Sequence, residues 1–322
     1  MGYFAKIDTL KGYHCNALKC LLIDAMTVEN ADMSANLNFF IRTLAACTFS
    51  AGVCAQEAPT LKEAVRDQYI VEMEEDVLKK LDGNEPLSNL DAYSHFLGEK
   101  ELLNVSLSAD SEAFAQTINT EALYLRIPVF HVKTASQVHQ TLLAALKVNA
   151  VKTIVIDLRG NRGGLLNAAI EVADEFIADG KLASTKGRQD SSNLVFLAKP
   201  GGLAEGKRVA VLIDDKTASA AELLAGILRI NANAVLIGQR SFGKSAVQTQ
   251  IHLKNGEALS LTTASYYFSD GSVLHHHGLE PDKTISNWTL NRHPPLTQAS
   301  ARKLVSRTNK FLQNVVNKRD GH

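Results

Sequence analysis

Cysteine is confined to one end of this 322-residue chain: Cys15, Cys20, Cys47 and Cys54 are its four cysteines, and none follows. A body without thiols holds no disulfide framework, no cysteine-ligated zinc and no cysteine nucleophile. Neither sign of charge is in surplus, with 34 Lys+Arg against 34 Asp+Glu. Without a basic excess, binding through phosphate neutralisation has no footing, and nucleic acid drops out as a partner. No apolar run is long and unbroken enough to span a bilayer in the mature chain. No repeat of about 20–50 residues recurs along it. Only 20 Gly and 7 Pro stand beside 45% hydrophobic residues, which excludes collagen-like, mucin-like and wholly disordered chains. What is left is a globular body, one large domain or two small ones.

The cysteine-bearing end reads as a leader. From Met33 the chain runs MSANLNFFIRTLAACTFSAGVCAQEAPT, with Arg42 ahead of an uncharged run from Thr43 to Val53. Val53-Cys54-Ala55 then offers small residues for signal-peptidase cleavage before Gln56. This predicts a secreted or periplasmic protein cleaved near Ala55, with a signal peptide over about residues 33–55. An N-terminal core helix is one alternative. Lipoprotein processing at Cys47 is another, through Leu44-Ala45-Ala46-Cys47, but Arg42 leaves too short an apolar stretch before it. Residues 1–32 do not fit in front of a signal peptide, which makes Met33 the start on this reading. Cleavage after Ala55 leaves a body of 267 residues.

Within that body, residues 60–82 place Leu61, Val65, Tyr69, Met73, Val77 and Leu81 at fourfold spacing, which predicts one amphipathic helix closed by Gly83. A polar, turn-rich stretch follows to about Thr120. From Ala122 the pattern alternates. ALYLRIPVF, KTIVIDL, RVAVLIDD and NAVLIG read as strands; SQVHQTLLAALKVN, LLNAAIEVADEFIADG and SAAELLAGILR read as helices; a β-rich end runs from Val247 to Tyr267. Such alternation predicts an α/β protein with a largely parallel sheet under helical cover. The division expected is a leader over 1–55, a helical N-terminal segment over 56–120, a core over 121–290 and a basic tail over 291–322. The RKLVSRTNKFLQNVVNKR run of that tail reads as a solvated surface helix.

Two motifs compete for the same lysine. Gly238 to Ser245, GQRSFGKS, satisfies G-x-x-x-x-G-K-[ST] after an apolar strand, and Asp157 at the end of IVIDL could pose as a magnesium-holding acid. A phosphate loop needs a helix directly after Lys244-Ser245, so that helix amides face the phosphates. Here AVQTQIHL alternates with period two and runs to Asn255-Gly256, a hairpin signal. The acidic strand also lies upstream of the loop. The other motif is KTASAAE (216–222), between a strand and a helix. A serine at such a junction presents its hydroxyl at the sheet edge, beside first-turn amides able to hold an oxyanion. Serine there can equally be a plain helix cap.

LDAYSHFL (90–97), DLRGNRGG (157–164), KTASAAE (216–222), IGQRSFGKSAVQT (237–249) and LSLTTASYYFSDGSVLHHHGLEPD (259–282) follow one another in this order. Together they resemble the signature blocks of the carboxy-terminal-processing, or tail-specific, serine peptidases. The resemblance implies a crotonase/Clp-peptidase-like αβ superhelix core and serine endopeptidase activity on extended or unfolded polypeptides, with no cofactor or metal. It implies Ser219 as nucleophile, Lys244 as general base and Gln248 as the residue that orients the lysine. The 25-residue interval from Ser219 to Lys244 is the family's usual one. It also implies an oxyanion hole from the Ala220 amide with Gly163 or Gly164. Arg162 stands where proline is common, and Ser245 where glycine is common.

The chemistry is sound apart from the family. A serine hydroxyl needs a base to take its proton. A lysine can serve once burial disfavours its ammonium form. Gln248, four residues along an extended run, emerges on the same face as Lys244 and can hold the amine through a neutral group. A carboxylate in its place would raise the lysine pKa. Paired glycines let backbone amides approach a tetrahedral intermediate, and Asp157 with Arg159 reads as an ion pair that positions this loop. Three consecutive residues, His275-His276-His277, alternate faces in a strand and so make a poor metal site.

Family members usually carry a PDZ domain between the LDAYSHFL-type block and the first core strand. The 25 residues 98–122 cannot house one. A PDZ domain captures a C-terminus by strand addition. The expectation is therefore a variant whose substrate choice lies in its own groove or in an adaptor or activator protein. Two rivals stand beside the peptidase: an idle peptide-binding scaffold on the same fold, and a nucleotide-binding protein using the GQRSFGKS loop.

Overall fold

The computed structural model describes residues 57–82, 87–98, 112–119, 121–148, 150–274 and 276–285, together with Ser306. The signal-peptide and lipoprotein readings, the 98–122 connection for the most part, and the tail beyond residue 285 except Ser306 lie outside the described residues. Ala58 onward forms one compact unit. Its elements run α1 (Leu61–Gln68), α2 (Glu75–Leu78), β1 (His95–Phe96), β2 (Phe114–Asn119), β3 (Ala122–Arg126), α3 (Thr134–Val148), β4 (Thr153–Asp157) and α4 (Leu166–Asp174). Then come β5 (Lys181–Gly187), β6 (Val195–Leu197), β7 (Arg208–Ile213), α5 (Ala220–Asn231), β8 (Val235–Gly238), β9 (Ala246–His252), β10 (Ala258–Phe268) and β11 (Lys283–Thr284).

The aliphatic runs form the centre of a six-stranded sheet, in the order β11-β8-β7-β4-β3-β2. Strands β3, β4, β7, β8 and β11 pair in parallel, and β2 closes one edge antiparallel to β3. Parallel strands are covered on both faces, so they need continuous rather than alternating hydrophobicity. TIVID of β4 and VLIG of β8 are accordingly buried at every residue. This is the α/β fold read from the sequence. Among the described residues no helix is long and apolar enough to cross a membrane.

A second, antiparallel sheet is built around β10, which pairs with β1, β5 and β9, and β6 extends it beyond β5. Asn255-Gly256 turns β9 into β10 as the sequence suggested, with Gly256 N–H returning to Leu253 O at 2.9 Å. Tyr266 and Phe268 of β10 reach from this sheet into the main core, which also takes Leu223, Leu224 and Ile227 of α5. On the other face Ala64, Val65 and Tyr69 pack on Ile251, Leu253, Leu259 and Leu261.

Three segments depart from the sequence reading. The single helix expected over 60–82 breaks after Gln68, where Tyr69 takes up extended geometry (φ −61°, ψ 140°). Ile70 N–H donates to Thr262 O of β10 (2.9 Å), and the Arg188 guanidinium takes the carbonyls of Arg66 and Tyr69 (3.0 and 3.3 Å). These tertiary bonds replace the next helical turn, and chain 75–82 resumes only as α2 and a short 3-10 turn. Secondly, α4 ends at Asp174 rather than at Gly180, because Glu175 O accepts from Ala204 N–H (2.8 Å). Thirdly, β2, β5 and β6 fall in stretches that carried no clear strand signal.

Candidate active site

Strand β7 leaves the parallel sheet at Ile213 and reaches α5 through a tight turn. Asp214 Oδ1 accepts from the N–H groups of Lys216 (3.1 Å), Thr217 (3.0 Å) and Gly160 (2.9 Å). Thr217 Oγ1 donates to Leu158 O (3.0 Å), and Ala218 N–H donates to Asn161 O (3.0 Å). The turn is therefore sewn onto the loop that follows β4. Ser219 sits at the helix entrance with φ +54° and ψ −120°. A non-glycine residue there costs about 1–3 kcal/mol unless its surroundings impose it. It is a sharp strand-to-helix elbow, half-exposed between the buried Ala218 and Ala220.

The loop after β4 lies against this elbow. A Cβ on Gly163 would stand 2.9 Å from Ser219 Cβ and 3.1 Å from Ala220 N, and one on Gly164 would meet Phe130 O at 2.0 Å. Both glycines have positive φ, +103° and +127°. Their amides differ in use. Gly163 N–H donates to Asn161 Oδ1 (2.7 Å), whose Nδ2 donates to Ile127 O (2.9 Å). Among the described residues no acceptor takes the N–H of Gly164 or of Ala220.

Asp157 anchors the loop from below, as its position at the end of β4 suggested. Fully buried, it accepts from Tyr124 Oη (2.5 Å), Arg159 N–H (3.1 Å), Arg159 Nε (2.7 Å) and Arg159 Nη2 (2.5 Å), with Arg126 Nη1 3.1 Å away. Burial alone would push this carboxyl up; Arg159 and then Arg126 hold it below the usual carboxylate range. Asp157→Ala leaves Arg159 buried without its anion. Breaking a buried pair from one side costs about 3–5 kcal/mol. Guanidinium unfolding of parent and variant should show a loss of that size, and a change under about 1 kcal/mol would rule out this anchoring role.

Lys244 arrives from the other sheet, at the entrance of β9. The fully buried Glu222, on the first turn of α5, fixes its main chain. Glu222 accepts from Ser219 N–H (2.9 Å), Lys244 N–H (2.8 Å), Gly243 N–H (2.6 Å) and Ser241 Oγ (2.5 Å). Burial pushes its carboxyl above the usual range, and these donors restrain the rise. Phe242 N–H adds a bond to Thr217 O (3.0 Å). The Lys244 amine lies over the Tyr93 ring, 4.6 Å from its centroid. Burial lowers the Lys244 pKa below its ordinary 10.5, against a weaker upward pull from Asp91. Gln248 Nε2 donates to Thr262 Oγ1 (3.2 Å), which donates to Asp91 Oδ1 (3.1 Å).

The structure thus gathers Ser219, Ala220, Gly163 and Gly164 at one elbow and brings the Lys244 backbone to it through Glu222. Among the described residues Ser219, Lys244 and Gln248 make no side-chain hydrogen bond with one another. Sequence reasoning gave no role to Glu222 or to the Asp91–Tyr93 turn. For Glu222 a signal existed, since Ser219 and Glu222 have capping-box spacing.

The nucleotide-loop reading is overturned. After Lys244-Ser245 comes the strand β9, not a helix, and the amides of Gly243 and Lys244 are spent on a carboxylate. A phosphate would meet Glu222 where it needs free donors. Of the three histidines, His275 lies outside the described residues, while His276 and His277 are exposed.

The profile of the family described as peptidase family S41 matches residues 121–285. A carboxy-terminal-processing protease of Bartonella bacilliformis is 41% identical over 165 residues, covering 50% of this chain and 38% of that protein. The carboxy-terminal processing protease CtpA of Bacillus subtilis is 34% identical over 157 residues, covering 49% of this chain and 33% of that protein. The chain therefore spans well under half the length of these relatives. Among solved structures, the photosystem II D1 C-terminal processing protease superposes with a TM-score of 0.51 at 24% identity, over 59% of this chain and 51% of that one. A lipoprotein from Streptococcus agalactiae gives 0.56 at 17% identity, over 70% and 89%. At these identities the likeness is one of fold.

Proposed function

Because this chain belongs to peptidase family S41, we propose that it is a serine endopeptidase of the carboxy-terminal-processing type, acting on extended or unfolded polypeptides. One observation carries the reading: Glu222 holds the backbones of both Ser219 and Lys244, the first strained at positive φ, the second with its amine shielded. Lys244 Nζ takes the Ser219 hydroxyl proton as Oγ attacks the scissile carbonyl. The free N–H groups of Ala220 and Gly164 receive the oxyanion, Gly163 being committed to Asn161. The lysine ammonium then gives its proton to the leaving amine, and water attacking through the same base releases the acyl group. Gln248 orients the amine, and no metal or cofactor enters any step.

Secretion through the 33–55 leader supplies the setting, outside the cytoplasm. Substrate choice then lies in the groove itself or in an adaptor or activator protein that stands in for a PDZ domain.

The test is a covalent one. A fluorophosphonate should label the full-length protein on the peptide containing Ser219, and casein should be cleaved with a rate that rises with pH as Lys244 loses its proton. Since the folded pKa of Lys244 lies below 10.5, the rate should level off before that pH. Labelling at another serine would overturn the nucleophile. No labelling together with no cleavage would favour the idle scaffold.

A further inference from the structure

The turn Asp91-Ala92-Tyr93 serves both Lys244 and Gln248. Its tyrosine ring lies under Lys244 Nζ, and its aspartate, through Thr262, reaches the side chain of Gln248. The base and its orienting residue are thus served by one short piece of chain, 171 residues from Thr262 in sequence. Tyr93 N–H (2.7 Å) fixes the Asp91 carboxylate, and Tyr69 Oη accepts from Asp91 N–H (2.9 Å). Thr262 itself is 3% exposed, so it cannot meet substrate.

Resting on the serine–lysine reading above, we infer that Asp91 and Thr262 are positioning residues that set the polarity of the Gln248 amide, and that Tyr93 holds Lys244 beside it. A carboxylate only accepts. The Thr262 hydroxyl hydrogen is therefore committed to Asp91, and its oxygen is left to accept from Gln248 Nε2. With its NH2 group occupied there, Gln248 presents Oε1 to the remaining side. An acceptor oxygen takes an N–H of the neutral amine and leaves the nitrogen lone pair for the serine proton. A flipped amide would place its own N–H against that lone pair and compete with Ser219. Thr262 is also a neutral spacer: it transmits the orientation dictated by Asp91 while keeping the negative charge a residue away from the base. The charge still pulls the Lys244 pKa up, but burial outweighs it.

The experiment is steady-state cleavage of labelled casein by the full chain, with melting temperature measured alongside. Thr262→Val, matched in shape but lacking the hydroxyl, should lower kcat by roughly 10- to 100-fold with KM nearly unchanged, the cost of a misplaced catalytic group. Thr262→Ser should restore most of kcat. Tyr93→Leu, which removes the ring face, should lose roughly tenfold in kcat, and Tyr93→Phe, which keeps it, should recover most of that loss. Should Thr262→Val fail to fold, the Tyr93 pair decides alone. Parent-like kcat in both Thr262→Val and Tyr93→Leu, while Ser219→Ala is dead, would overturn this inference and leave the peptidase reading standing. Full activity in Ser219→Ala and in Lys244→Met would overturn both, because there would be no base to position.

Discussion

Ser219→Ala and Lys244→Met should each remove casein cleavage, by about a thousandfold or more, while leaving the fold intact. The Lys244 side chain does not hold the elbow, and the Ser219 side chain adds only a cap to the Glu222 N–H, whose loss costs about 1 kcal/mol. Ser219 keeps its backbone bond to Glu222 whatever the side chain, and the first-turn amides stay where they are. Lys244 is likewise fixed by its N–H, not its amine. The residual rate in each variant is what the oxyanion donors supply without a nucleophile or a base. The two variants should differ in stability. Unfolded lysine titrates at its ordinary 10.5, and folded Lys244 titrates lower. Between the two values the unfolded chain binds more protons, so the parent gains stability as pH rises through that window. Below the folded pKa the penalty for a shielded ammonium is present in full. Lys244→Met removes it and should melt above the parent at acidic and neutral pH, with the gap closing as the pH approaches 10.5. A variant that melts below the parent at neutral pH, or keeps its activity, contradicts the assignment of Lys244 as a shielded base.

Glu222→Gln should damage activity and stability together. The carboxylate accepts four hydrogen bonds, two at each oxygen. An amide offers one oxygen and puts an NH2 group against the remaining donors, so buried N–H groups lose their partner. Leaving such donors unpaired costs about 1–3 kcal/mol each, and denaturant unfolding should register a loss of about 3 kcal/mol. Activity should fall by roughly 100-fold or more, because the elbow and the base lose their shared anchor. Ser219→Ala combined with Glu222→Gln should be no less active than Ser219→Ala alone, since only one catalytic unit is being broken. Loss of activity without loss of stability would make Glu222 a proton-transfer group rather than an anchor.

What could be read in the sequence follows from how local each signal is. The strands β4, β7 and β8 were legible because burial on both faces leaves unbroken aliphatic runs. The elbow at Ser219 was legible because a strand, a small-residue turn and a helix adjoin within a few residues. The helix break at Tyr69 was not, because its cause is Thr262 O and Arg188, far along the chain. Thr262 shows the limit most plainly. As one hydroxyl in LSLTTAS it is indistinguishable from Thr263, which the bulge between Thr262 and Ala264 turns to a different partner, Thr249. Asp91 and Gln248 meet on it only after β1, β9 and β10 have paired. Of the two candidate glycines, the sequence could not choose, because Asn161 claims Gly163 only once the loop has closed.

The residues of the proposed serine–lysine site are divided between the two sheets. Ser219 and the glycine loop hang from strand ends of the parallel sheet, whereas Lys244, Gln248, Thr262 and the Asp91 turn belong to the antiparallel one. Chemistry of this kind tolerates little error in distance: displacement of about an ångström costs roughly a hundredfold. Tyr266 and Phe268, packed from the antiparallel sheet into the core around α5, are therefore what keeps the two halves of the site in register.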